Sequence, residues 1–143
     1  MHLTRYTDYA LRVLLFAAAT EETVTISRIS EAFGISREHL RKVVHTLARL
    51  GYLDTTQGRR GGLVLGRPAN RINVGEVIGA LESMELLECF NKETNRCPIL
   101  GVCGLTHALA KAQRSFMDVL SGYTLSDLVA NPKLALFVRD SAR

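Results

Sequence analysis

Apolar residues recur at helical spacing from the start of the chain: Tyr6, Tyr9, Ala10, Val13, Leu14 and Ala17 share one face. Thr4 or Thr7 can cap that segment, so the pattern predicts a helix over residues 4–19. After the polar break Glu21-Glu22-Thr23, Thr25 or Ser27 caps a short helix through Ile29 and Ala32-Phe33, which Gly34 stops. Ser36 opens a third helix that runs to about Leu50, with Gly51 as its stop. Projected at ~100° per residue, Leu40, Val43, Val44, Leu47 and Leu50 fall in one arc facing a core. Glu38, Arg41, Lys42, His45 and Arg49 fall on the opposite side. Two helices joined by a short turn containing glycine form the helix-turn-helix pattern. In it the second helix enters the DNA major groove with its N-terminal residues nearest the bases. Ser36, Arg37, Glu38, Arg41, Lys42 and His45 are therefore the candidate reading residues.

The next segment extends that pattern. Tyr52 to Thr55 and Leu63 to Leu65 read as two short strands around the tip Gln57-Gly58-Arg59-Arg60-Gly61-Gly62. Glycines permit the tight turn, and Arg59 and Arg60 at such a tip can reach a minor groove or phosphates. Beyond Pro68, Asn73 caps a helix from Val74 to about Leu81. From Leu105 a long helix begins in which Leu105, Leu109, Ala112, Phe116 and Val119 form a heptad seam. A seam of that length suits pairing with a second copy of the chain over residues 105–120. Thr124 and Asp127 form a capping box for one more short helix, and the segment past Pro132 gives no clear pattern. The expected fold is mainly α: a winged helix-turn-helix domain with a two-stranded β wing (1–80), a cysteine loop (81–104), and a dimerisation helix with its tail (105–143).

Charge changes the picture through its distribution. Residues 1–75 hold eleven Lys/Arg against six Asp/Glu, and residues 76–143 hold seven against eight. A basic half suits a polyanion, since Lys and Arg release counterions condensed on nucleic-acid phosphates. No apolar run approaches the roughly 20 residues of a membrane span, and the N-terminus lacks the apolar stretch of a secretion signal. The expected location is cytoplasmic, with no membrane partner. No nucleophile elbow, phosphate-binding glycine loop or Ser/His/Asp arrangement occurs, and a Cys103–His107 nucleophile has no oxyanion site beside it. An enzyme is not expected.

All three cysteines lie within fifteen residues, spaced C-x7-C-x5-C as Cys89, Cys97 and Cys103, beside Pro98, Gly101 and Gly104. An odd number of thiols in a cytoplasmic chain argues against a disulfide framework. Three thiolates suit a soft metal: zinc with a fourth ligand, or an iron–sulfur cluster, and the long intervals favour the cluster. Asp8 and His107 are the candidate fourth ligands. His107 lies four residues past Cys103, and Asp8 can reach a cysteine loop across a dimer.

Together these residues resemble the IscR and NsrR family of bacterial iron–sulfur transcription regulators, over about residues 1–130. The resemblance rests on the run from Leu3-Thr4-Arg5-Tyr6 to Asp8-Tyr9-Ala10-Leu11-Arg12 and on the Gly58, Gly61, Gly62 wing followed by Leu65-Gly66-Arg67-Pro68-Ala69. Glu88-Cys89-Phe90, Cys97-Pro98-Ile99 and Tyr123-Thr124-Leu125-Ser126-Asp127-Leu128 are most similar to the nitric-oxide-sensing, NsrR-type repressors. It implies a homodimer that binds a palindromic double-stranded operator when its cluster is intact and releases it when nitric oxide nitrosylates or destroys that cluster. Cys89, Cys97 and Cys103 match the cluster cysteines, and Asp8 matches a carboxylate donated from the partner subunit. The Leu105-Thr106-His107 run resembles a family segment whose histidine is a ligand. A 4Fe-4S cluster is expected, with 2Fe-2S as the alternative because the first interval is longer than in several relatives. The seven-residue interval is shared with iron-responsive members, so iron sensing is the alternative function, and a zinc or redox-cysteine regulator a further one.

Overall fold

The computed structural model describes residues 2–20, 22–56, 58 and 61–141; the wing arginines Arg59 and Arg60 lie outside them. Helix α1 spans Arg5–Ala18, and the Thr4 side chain accepts the Thr7 amide at its start. Its apolar stripe is fully used: Ala10, Val13, Leu14 and Phe16 are completely buried. This helix packs against the helices at Arg37–Arg49 and Leu125–Val129, which places it at the centre of the core.

Helix α2 (Ile26–Phe33) is capped by Thr25 and ends at Gly34, whose φ of +64° is open to glycine at little cost. Ser36 then caps α3 (Arg37–Arg49) by accepting the His39 amide at 3.3 Å. Leu40, Val43, Val44 and Leu47 of α3 are buried as the sequence requires, and Leu50 is half-buried. The chain turns at Gly51 into β1 (Leu53–Thr56), paired antiparallel with β2 (Gly62–Leu65), Leu53 opposite Leu65 and Thr56 opposite Gly62. Val24 and Leu63 exchange both backbone hydrogen bonds, at 2.9 and 2.7 Å, which fixes the root of the wing to the segment before α2.

Helix α4 (Val74–Leu81) leads into a loop with a single 3-10 turn at Glu88–Phe90, and α5 (Gly104–Ser121) follows. Among its described residues α5 buries none. Helix α6 (Leu125–Val129) carries the expected capping box, with Thr124 and Asp127 bonding reciprocally. The Thr124 amide and hydroxyl hold the Asp127 carboxyl below its usual range.

Past Pro132, where no clear pattern was expected, the chain forms a seventh helix, α7 (Pro132–Asp140). Asn131 caps it and proline stands in its first turn, where the missing N–H costs nothing. Leu134, Phe137 and Val138 sit three and four apart, and Val138 is completely buried. Phe137 lies 5.5 Å from Phe33 of α2, and the Arg28 guanidinium donates to the Val138 carbonyl at 2.7 Å. The last helix thus closes over the back of the helix-turn-helix.

The α4–α5 crossing depends on one glycine. A Cβ on Gly75 would stand 2.9 Å from the Ser121 backbone nitrogen and 3.0 Å from its Cα. Gly75→Ala should therefore destabilise the protein by roughly 1–3 kcal/mol through overpacking. That is opposite in sign to the ~1 kcal/mol gain expected of alanine in an open helix. Urea unfolding of the two proteins gives the sign.

Candidate nucleic-acid interface and metal centre

The structure places every described candidate reading residue on the surface. Ser36, Arg37, Glu38, Arg41, Lys42 and His45 are all exposed along α3. Two of the cations are engaged locally, Lys42 with Glu38 at 3.1 Å and Arg37 with Glu31 at 3.5 Å. Lys42 holds the Glu38 carboxyl below its ordinary pKa. Exposed pairs of this kind are worth little and exchange readily for phosphate. Arg41 and His45 line a cleft of about 420 Å³ between α3, Thr25 and Ser27 ahead of and within α2, and the inner wing residues Thr55, Thr56 and Gly61. Arg59 and Arg60 lie outside the described residues.

Two side chains that hold this surface in place escaped the sequence reading. The Tyr6 hydroxyl of α1 lies 2.7 Å from Thr46 Oγ1 and 3.1 Å from the Lys42 carbonyl. With one proton, it donates to the carbonyl and accepts from the threonine, which pins α3 to α1. Arg67 donates to the Gly51 and Leu50 carbonyls at 3.2 and 3.3 Å and stacks 4.6 Å over the Tyr52 ring. A cation at the last carbonyls of α3 offsets the negative end of the helix. Tyr6 showed only an apolar period, and Arg67 only a motif position.

The cysteines are free and half-buried. Cys103 stands at the N-cap of α5. Its sulfur makes no capping bond of regular geometry, yet the Thr106 amide, the Thr106 hydroxyl and the Leu105 amide hold its thiol below the usual range. Cys89 Sγ lies 3.3 Å from the same Thr106 hydroxyl. Two of the three thiols therefore meet at the first turn of α5, where amides favour a thiolate. Cys97 sits in the loop with its amide bonded to Asn95. Among the described residues no three Cys, His, Asp or Glu side chains converge as a metal site. His107, one turn beyond Cys103, is exposed. Asp8 lies far along the sequence in α1, gripped by Arg12 at 3.0 Å (Nε) and 2.8 Å (Nη2). Three free thiols, one already biased toward thiolate, are a donor set that fits an iron–sulfur cluster.

One contact joins the loop to the reading domain. Glu82, at the end of α4, accepts the Thr4 amide at 2.6 Å and the Thr4 hydroxyl at 2.9 Å. Burial pushes its carboxyl up, but the bonds from Thr7 and Thr4 outweigh that and hold it below the ordinary range.

This arrangement defines a winged helix-turn-helix transcription regulator. A family model described as "Rrf2: Iron-dependent Transcriptional regulator" matches residues 3–131, and the chain belongs to the Rrf2 family. It is similar to the HTH-type transcriptional regulator NsrR of Bacillus licheniformis, 48% identical over 134 residues, 92% of this chain and 94% of that one. The NsrR of Bacillus subtilis is 47% identical over 92% of each. Of solved structures, CymR (YrzC), the global cysteine regulator of B. subtilis, superposes with a TM-score of 0.72 at 23% identity, covering 91% of this chain and 97% of that one. T. potens IscR does so with 0.71 at 23%, over 90% and 86%. These two share the fold. No helix among the described residues is long and apolar enough to cross a membrane.

Two outcomes follow from the contacts. In metal-free protein at neutral pH, iodoacetamide should alkylate Cys103 faster than a free cysteine peptide, and Thr106→Val should slow it by removing the hydroxyl. For Glu82, a folded pKa below the unfolded one means its stabilisation is complete above the ordinary carboxylate range and is lost as pH falls through the folded value. The stability difference between the native protein and Glu82→Gln should accordingly shrink on acidification, as read by thermal unfolding between neutral and acid pH.

Proposed function

We propose that the chain is a homodimeric repressor that senses nitric oxide through an iron–sulfur cluster, binding its operator in the loaded state and leaving it when nitric oxide arrives. The observation that carries this reading is an exposed reading helix in the same chain as three free thiols, two of them meeting at Thr106. Similarity to NsrR-named regulators supports nitric oxide as the signal, and the iron-dependent description of the family supports iron as the metal. That same description keeps iron supply as a second reading of the signal.

Cys89, Cys97 and Cys103 would hold the cluster, 4Fe-4S with 2Fe-2S as the alternative. Asp8 of the partner subunit is the fourth ligand, with His107 as its rival. A bound cluster supplies iron open to a small gas, most readily where a hard carboxylate stands among soft thiolates. The chain's own residues set the rest. The first turn of α5 favours the Cys103 thiolate. Arg12 orients both oxygens of Asp8, which remains half-exposed. Asp8 also lies on α1, the helix that packs along α3, so a bond made there bears on the reading surface. The seam of α5 leaves Leu105 60% and Val119 63% exposed, and a second copy of that helix covers them. Residues 1–80 then bind DNA through α3 and the wing with Arg59 and Arg60, residues 81–104 hold the cluster, and within residues 105–143 the helix over 105–120 carries the dimer contact.

Anaerobic reconstitution with iron and sulfide should yield a brown dimer whose operator binding nitric oxide abolishes. A colourless zinc protein, or operator binding indifferent to nitric oxide, overturns the reading. Asp8→Ala should lose the native visible spectrum and the nitric-oxide response while His107→Ala keeps both; the reverse result transfers the ligand to His107.

A further inference from the structure

The exposed ridge of α3 has a cavity on each side. Arg41 and His45 face the wing cleft described above. On the other flank, a pocket of about 240 Å³ opens between α1 and α3, lined by Arg5, Tyr6, Tyr9, His39, Lys42 and Val43. Two cations, a histidine and two phenol rings line it, and no carboxylate does. Arg5 is exposed and makes no ion pair among the described residues.

The pocket is preorganised from behind. Tyr6 spends its hydroxyl on α3, which fixes the separation of the two walls. His39 is held by Ser36, whose oxygen accepts the His39 amide at 3.3 Å and lies 3.0 Å from His39 Nδ1. Nδ1 is thus turned to Ser36, and Nε2 is the ring nitrogen left outside that contact. The ring is also braced by Tyr9, with centroids 6.3 Å apart.

A major groove is ~12 Å wide and a helix with its side chains ~10–12 Å across, so a helix seated there has a phosphate backbone against each flank. On α3 one flank belongs to the wing. The other is this pocket. We propose that the pocket receives a backbone phosphate of the operator, on the strand opposite the one the wing follows. Arg5 is its principal ligand, and His39 and Lys42 are its walls. Guanidinium offers the forked donors that phosphate oxygens match, and Lys42 can leave its exposed pair with Glu38 for a stronger anion. The proposal rests on α3 being the helix that enters the groove.

The test uses full-length protein prepared anaerobically, titrated with operator and scrambled duplexes across a range of salt. Arg5→Ala should weaken both duplexes by the same factor and reduce the salt slope by about 1 per subunit. Lys133→Ala, which removes an exposed cation from α7, should change neither. Operators carrying one neutral methylphosphonate at successive positions then locate the contact. The native protein should lose affinity at one flanking position in each half-site, and Arg5→Ala should be insensitive there. Unchanged affinity and slope in Arg5→Ala, or the same methylphosphonate profile as the native protein, overturns the pocket. If Arg41→Ala still weakens operator binding in that case, the regulator reading survives. Failure of the native protein to bind any duplex overturns both.

Discussion

The contact between α1 and α3 is the one on which the rest depends. A recognition helix is useful only if its exposed face is held rigidly, and α3 spends its apolar stripe on α1 and the wing strands. Leu40, Val43 and Leu47 enter the core from one side, and Val13, Leu14 and Phe16 from the other. Full burial of a side chain of this size is worth roughly 1.5–3 kcal/mol. Hydrophobic contact alone leaves a helix free to slide or roll, and the polar bonds remove that freedom. Tyr6 fixes the middle of α3, Ser36 its start, and Arg67 its end. Each bond is modest by itself. Their value lies in orientation.

Most of this architecture was legible in the sequence because its elements announce themselves locally. Thr4, Thr25, Ser36 and Asn73 each cap the helix that follows, and the α3 stripe is buried where its period puts it. What stayed hidden was tertiary. Helix α7 has a cap, an early proline and a short apolar stripe, but its reason for forming is the cover it gives to Phe33 and Arg28, more than a hundred residues earlier. Likewise Glu82 reads as a helix-end acid, and only the fold shows that it accepts Thr4.

The cysteine loop illustrates a different limit. Spacing shows that the thiols are gathered and suits a soft metal, and the resemblance supplied the signal and the partner-subunit ligand. The structure adds that Cys89 and Cys103 share Thr106 while the Cys97 amide is bonded to Asn95. Ligand sets assembled from short loops and a second subunit carry no periodicity to read. Nothing in the pattern of Asp8 separates a ligand from a helix-start acid paired with Arg12.

The Arg28–Val138 bond spans 110 positions. During synthesis, α1, α2 and α3 emerge with the flank under Phe33 and Arg28 open to solvent. Only when residue 138 has left the ribosome is that flank sealed. Translation runs at ~5–20 residues per second, so the reading domain spends several seconds as an incomplete body with exposed aromatic surface. The same chain order that puts the cysteine loop between two halves of one core also makes the DNA-reading half wait for that loop to be made.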